Sequence, residues 1–294
     1  MGLTREDRWL AAWLALTFAL AVVLCVLNAR GPAYTGATYF PRLFVIPFIT
    51  AVNAWLTGAR VEARDGTPKP WLTDLGLYAL AMLGLSALVQ GIQYTPATPI
   101  DPALLRWDKA LGWDTARCLD WVAARPHLRW VLDRVYESTD LQLALAPLLP
   151  LLAGDRRRSR VFLHAMVYAT LLGCMFYRFW PSSGPASMIG SRHWLWVQRA
   201  TYMKYSQVHS WSPVTTIWGG MIAFPSFHVA WAALTCYAAA GDRRVLWPVA
   251  LLNAAVVAST LALGWHYLVD LPAGLALAGL ALVLGEAAHR RLKT

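Results

Sequence analysis

Apolar residues in this chain fall into long, nearly unbroken runs divided by short polar clusters. They show neither the strict alternation of a half-buried strand nor the narrow stripe of a surface helix. Eight runs can be read, over residues 9–29, 42–58, 71–93, 134–153, 161–180, 226–240, 246–265 and 266–287. Each approaches the roughly 20 residues that cross a bilayer as a helix. Run 42–58 is short and holds Pro47, which a membrane helix tolerates when neighbours satisfy the freed carbonyl. The pattern predicts an all-α, polytopic integral membrane protein with about eight transmembrane helices. One membrane domain accounts for residues 1–294, with N-terminal helices over 1–93 and a second region over 94–294. The first run follows "TREDR", is long for the apolar part of a signal peptide and lacks a small-x-small cleavage site, so a retained helix is expected.

Polar punctuation sets the expected orientation. Arginine and lysine gather at 60–69, 156–160, 243–244 and in the tail "HRRLK". Even numbers of runs separate these clusters, so all can be cytoplasmic together, with both termini inside a plasma or inner membrane. Segments 30–41, 94–133, 181–225 and the Trp265–His266 corner then face outward. Two of them have character. "PALLRWDKALGWDTARCLDWVAARPHLRWVLDRVYES" mixes apolar and charged residues at helical spacing, as one or two helices lying in the interface would. "RHWLWVQRATYMKYSQVHSWSPVTTIW" is crowded with Trp and Tyr, as at headgroup depth.

Composition agrees. Hydrophobic residues make up 57% of the 294 and charged residues only 14%, against about 25% in an ordinary soluble domain. The net charge of +10 sits in loop clusters, which argues against a nucleic-acid partner. Cys25, Cys174 and Cys236 lie in apolar runs and Cys118 in a loop, with no zinc or redox spacing.

A chain this apolar has little use for "AFPSFHVAWAAL" at one helix mouth and "LGWHYLVDLPAG" at another. His266 and Asp270, four residues apart, share a face if the segment is helical. A carboxylate accepting one imidazole N–H fixes the tautomer and leaves the other nitrogen basic, which suits a nucleophile. The same pair also fits a structural pin at a helix end. Upstream, Pro225 interrupts the loop and Ser226 stands where an N-cap would. His228 then falls in the first turn, beside unpaired amides that favour a phosphate oxygen, and can serve as acid and base. An ordinary capped helix with an interfacial histidine fits that segment equally.

Together the two segments resemble the type 2 phosphatidic acid phosphatase superfamily. Pro225-Ser226-Phe227-His228 is similar to its second motif, Pro-Ser-Gly-His, with Phe for Gly. Ser259-Thr260-x5-His266-x3-Asp270 is similar to its third, Ser-Arg-x5-His-x3-Asp, with Thr for Arg. At the first motif, Lys-x6-Arg-Pro, the chain has Tyr177 at the lysine position and Gly184-Pro185 for Arg-Pro. The missing third-motif arginine, the "HY" pair, "VDLPAG" and "RWDKALGWD" resemble the branch of the fungal inositol phosphorylceramide synthases. The resemblance covers about the last two thirds of the chain.

It implies a six-helix catalytic core, His266 as nucleophile forming a phosphohistidine, His228 as general acid and base, and Asp270 orienting His266. It implies no metal and no cofactor. Phosphate would be gripped by Ser226, the amides of Phe227 and His228, Ser259, Tyr177 and replacement cations. Arg178, one residue from the lysine position, is the first of these, with headgroup snorkelling as its competing use. Lys204, Arg192 and Arg199 follow, and His193 and His209 read as interfacial. The expected substrate is a membrane lipid, and the expected activity is transfer of a phosphate-linked headgroup to a lipid or polyol hydroxyl. The alternative is a phosphatase for phosphatidic acid or a polyprenyl phosphate. A scaffold or transporter is more remote, since transport calls for buried charge near the middle of the spans.

Overall fold

A computed structural model describes residues 4–29, 70–216 and 222–293. Run 42–58 and the basic segment 60–69 lie outside the described residues. Within them the chain forms eleven α-helices and a short 3-10 turn at Pro185–Ser187. They are α1 (Arg5–Ala29), α2 (Pro70–Ile92), α3 (Asp101–Ala110), α4 (Thr115–Ala123), α5 (Pro126–Leu145), α6 (Leu148–Leu152), α7 (Arg156–Phe179), α8 (Trp196–His209), α9 (Phe227–Ala239), α10 (Arg243–Ala262) and α11 (Asp270–Lys293).

Five of these, α1, α2, α7, α10 and α11, are long and apolar enough to cross a membrane. The all-helical, multi-pass reading therefore holds, while the count of eight is not reached among the described residues. Two runs differ from expectation. Run 134–153 straddles α5 and α6, because Pro147 has no N–H to continue the ladder. The helix instead starts earlier, with Pro126 in its first turn. Run 226–240 is a helix of 13 residues, about 20 Å long. Segment 102–138, expected to supply one or two interfacial helices, folds as α3, α4 and the first part of α5.

α7 is the central strut. It packs along α11 and against α2 and α9, while α1 lies along α2 and α10 along α9. Small residues let these backbones approach, as membrane helices require when lipid and side chains are equally apolar. On α11, Gly274, Ala278, Ala281 and Gly285 line one buried face. A Cβ at Gly285 would stand 2.9 Å from the Val161 carbonyl, and one at Gly274 only 2.5 Å from the Ser226 carbonyl. The second contact seats the mouth of α9 directly on the start of α11. Opposite faces carry the lipid-facing load: Leu20 and Val23 of α1, Trp247 and Leu251 of α10, and Leu280 and Val283 of α11 are all exposed.

Candidate active site

Three local structures converge at one end of the bundle. Pro225, preceded by a cis peptide bond from Phe224, leads into α9. Ser226 caps that helix with extended backbone and accepts the Val229 N–H at 3.3 Å. This puts His228 in the first turn. α10 ends at Ala262, and a turn follows with Gly264 at φ +71, where a side chain would be strained. The carbonyl of Thr260 accepts both Trp265 N–H and His266 N–H. His266 is thus not on a helix, and Asp270 is the first residue of α11. The expectation of a pair along one helix is corrected. The four-residue spacing instead spans a turn that closes as Asp270 Oδ2 accepts the Tyr267 N–H at 2.9 Å.

The pairing itself forms. His266 Nδ1 lies 3.1 Å from Asp270 Oδ2, both residues buried. With the carboxylate accepting from Nδ1–H, the lone pair sits on Nε2. That nitrogen lies 3.2 Å from Ser226 Oγ and 3.3 Å from His228 Nδ1. Ser226 Oγ accepts from Val229, so its own hydrogen is available to point at Nε2. The result is a line from carboxylate to imidazole to a second imidazole, with a hydroxyl beside it.

A family model of the PAP2 superfamily matches residues 102–284, more than half of the chain. The protein belongs to the PAP2 superfamily. No curated protein and no solved structure matches it. Membership places it among phosphatases and phosphotransferases. The match runs from α3 to α11 and leaves out α1 and α2, where no motif was read.

As a PAP2 protein it departs from its superfamily's usual cation set, and the geometry shows what the other expected ligands do. Arg178 donates from its guanidinium to Thr95 Oγ1 at 2.8 Å, while the Thr95 hydroxyl donates to the Arg178 carbonyl. It ties the end of α7 to the connection after α2. Tyr177 is buried, its hydroxyl 3.2 Å from His209 Nε2. His209 in turn stacks on Tyr205. Ser259 is buried and donates to the Val256 carbonyl of its own helix. The Phe227 ring turns toward α7, packing where Gly173 leaves room and stacking on Trp231. Only its amide, in the first turn, remains suited to an anion. Lys204 is buried in α8, and burial pulls its ammonium down to about 8. Arg192 and Arg199 are exposed, Arg199 donating to the Arg192 carbonyl. His193 packs toward α5, its carbonyl accepting from Arg129. Of the expected set, Ser226, His228, His266 and Asp270 come together, and Arg178, Tyr177 and Ser259 are engaged elsewhere.

The sequence reading missed the residues that hold this line in place. Asp101 and Asp108 sit seven apart on α3, hence on one face, and both are buried. Asp101 accepts from the amides of Ser183 and Gly184, the hydroxyl of Ser182 and the hydroxyl of Tyr267. Asp108 accepts the Leu268 amide at 2.9 Å and the Val269 amide at 3.1 Å. Burial lifts both carboxyls above the usual range, and the amide donors offset part of that. One helix thus clamps the segment at the first-motif position and the turn that carries His266. The available signal was two aspartates one heptad apart in a chain poor in charge. Tyr136 of α5 was also missed. It stacks on His228 with centroids 4.5 Å apart and on Trp265 at 4.9 Å, nearly parallel.

Proposed function

We propose that the protein transfers a phosphate-linked lipid headgroup to a hydroxyl acceptor through a phosphohistidine on His266, without a metal. The observation that carries the reading is the Asp270–His266–His228 line, with Nδ1 of His266 on the carboxylate and Nε2 facing His228 and Ser226.

The scheme follows from those atoms. The Nε2 lone pair attacks phosphorus as the bond to the leaving oxygen breaks, and protonated His228 gives its proton to that oxygen. Nδ1–H stays bonded to Asp270, which stabilises the cationic phosphoimidazole. Neutral His228 then takes the proton of an incoming hydroxyl, whose oxygen attacks phosphorus, and the P–N bond breaks. With the facing nitrogens of the two rings 3.3 Å apart, phosphorus cannot sit between them. Substrate entry therefore swings His228 from His266 across the face of Tyr136. Ser226 Oγ and the first-turn amides of α9 supply neutral donors to the phosphate.

A lipid substrate is supported by a groove of about 640 Å³ between α7 and α11. Met175, Phe179, Phe224, Pro225, Ala276 and Leu280 line it almost without polar surface. Pro225, one residue from Ser226, is part of its lining, so a chain lying in it can carry its phosphate toward the histidines. Transfer is favoured over hydrolysis because His266 is only 3% exposed and the Tyr136–Trp265 stack shields His228. A phosphoenzyme open to bulk water is hydrolysed, whereas transfer needs water kept out. The inositol phosphorylceramide branch remains the model for the donor and acceptor classes.

The test supplies purified enzyme with a labelled phospholipid, with and without diacylglycerol, ceramide or inositol as acceptor. Transfer gives an acceptor-dependent phosphorylated product that outpaces hydrolysis, unchanged by chelator. Release of inorganic phosphate that no acceptor alters would make the enzyme a phosphatase. Loss of activity in chelator with recovery in magnesium would overturn the metal-independent scheme.

The arginine distribution supports cytoplasmic termini and an outward-facing site. Single cysteines at Asp242 and Ser183, in a chain stripped of its native cysteines, test it. Position 183 is expected to be the more reactive toward an impermeant thiol reagent in intact cells, and the reverse order would invert the topology.

A further inference from the structure

The end of the bundle opposite the histidines holds a dense set of charges that the reaction does not use. α11 runs 24 residues from Asp270 to Lys293, about 36 Å, so its last turn lies roughly a bilayer away from His266. α1 and α7 begin at that far end. Arg160, 2% exposed, pairs with Asp7 of α1 at 2.5 Å and with Asp74 of α2. Glu6 Oε1 faces His164 Nε2 at 3.0 Å and His289 Nδ1 at 2.9 Å. These contacts join four helices.

Beside this network lies a pocket of about 350 Å³, lined by Arg5, Arg156, Arg157, Arg160 and Lys293 with one carboxylate, Glu6. Some of that charge is answered from behind. Arg160 is held by Asp7 and Asp74, Arg157 by Glu286, and Glu6 already accepts from two imidazoles. Arg5, Arg156 and Lys293 remain to give the cavity its sign, the nearest carboxylate to Arg156 being Asp74 at 3.6 Å. The starts of α1 and α7 add the positive ends of two helix dipoles.

A second observation points to a ligand. His289 is buried in the pocket wall with Nδ1 on Glu6, and its Nε2 has no hydrogen-bond partner. A buried orphan nitrogen costs free energy unless something meets it. Under a cluster of arginines, the group that suits it is an oxyanion: the neutral ring accepts from a protonated phosphate oxygen, and the imidazolium donates to an ionised one.

We infer that this pocket binds a phosphate group, on an anionic phospholipid headgroup or as the free ion, in the leaflet opposite the catalytic histidines. The inference rests on the membrane-spanning reading but not on the proposed reaction. Basic pockets between membrane helices take such headgroups through charge-assisted hydrogen bonds. Bound there, the ligand would bridge α1, α7 and α11 at their shared end.

The full-length protein in phosphatidylcholine nanodiscs tests this without turnover. Dioctanoyl phosphatidylglycerol, dioctanoyl phosphatidylcholine or sodium phosphate is titrated in, with binding read by native mass spectrometry and by thermal stability. A saturable site for phosphatidylglycerol that phosphatidylcholine does not fill is expected. Saturation by phosphate alone at comparable concentration would assign the site to the free ion. Arg5, Arg156 and Lys293 are exposed, and after their substitution Arg160 still pairs with Asp7 and Asp74 and Glu6 with the two imidazoles. Each single change to Gln is expected to weaken binding about fivefold, and the triple variant considerably more. Arg243→Gln with Arg244→Gln, a control that removes two positive charges from another basic loop, is expected to leave it unchanged. Equal losses in the triple variant and the control, or no preference for either phosphate ligand over phosphatidylcholine, would overturn the proposal.

Discussion

His266→Ala is expected to abolish turnover, by about 10⁴-fold or more, and the covalent phosphoenzyme with it. No neighbouring group can take over. Nε2 is the atom that both Ser226 and His228 face, and Asp270 is committed to Nδ1 and to the Tyr267 amide. His228→Ala separates the two steps. It is expected to cut turnover of ordinary lipids by about 10²–10⁴-fold, the usual worth of a placed acid and base. A substrate whose leaving group needs no proton is still expected to phosphorylate His266, and the phosphoenzyme then accumulates because the second step lacks its base. Asp270→Asn is expected to be milder than His266→Ala, since an amide oxygen still accepts from Nδ1–H but carries no charge. Trapping with labelled substrate and an alkaline denaturing quench, under which a phosphohistidine survives, reads all three. A His266→Ala enzyme that retained an acid-labile phosphoenzyme would place the nucleophile elsewhere.

Asp101→Ala is expected to have the next largest effect, and on two quantities together. It strips the acceptor from two amides and two hydroxyls. Buried polar groups left unsatisfied cost about 1–3 kcal/mol each, and partial rearrangement brings the expected loss to about 3 kcal/mol or more. Because Tyr267 follows His266 directly, the turn carrying His266 loosens as stability falls. Asp101→Asn keeps one acceptor oxygen but sets an N–H against donors, so it is expected to fall between wild type and Ala. The decisive readout is kcat at a temperature where the variant remains folded. A purely structural residue would leave kcat unchanged there, whereas a positioning residue lowers kcat with little effect on KM.

The motifs were legible because an apolar chain makes its few polar groups conspicuous and because their local geometry is short-range. Ser226 caps its own helix, and His266 meets Asp270 four residues on, so spacing alone brings them together. That spacing could not tell a helix from a turn, since both bring residues i and i+4 into contact. Gly264 and the Thr260 carbonyl decide in favour of the turn. The clamp was not legible for a different reason. Asp108 meets Leu268 across 160 positions, and no periodicity reports such a contact. Arg178 was assigned by adjacency to a motif position, but a long side chain at a helix end goes where an acceptor is, and Thr95 lies across the connection. The run read as a fourth span was broken by Pro147, whose effect depends on which helix it falls in.

The turn that carries His266 has no idle amides. From Leu263 to Leu271 every backbone N–H donates, to Ser259, Leu261 and Thr260, to the carboxylates of Asp270 and Asp108, and to Tyr267 and Leu268. In hydrogen–deuterium exchange such a segment behaves as part of the helical bundle although it contains no regular helix until Asp270. The Leu268 and Val269 protons, held by Asp108, exchange only when α3 lifts away, so they and the amides of Ser183 and Gly184, held by Asp101, are expected to exchange in one concerted opening. The turn that carries His266 is then as long-lived as its grip on a helix more than 150 residues away, a lifetime set by tertiary contact and not by local helix.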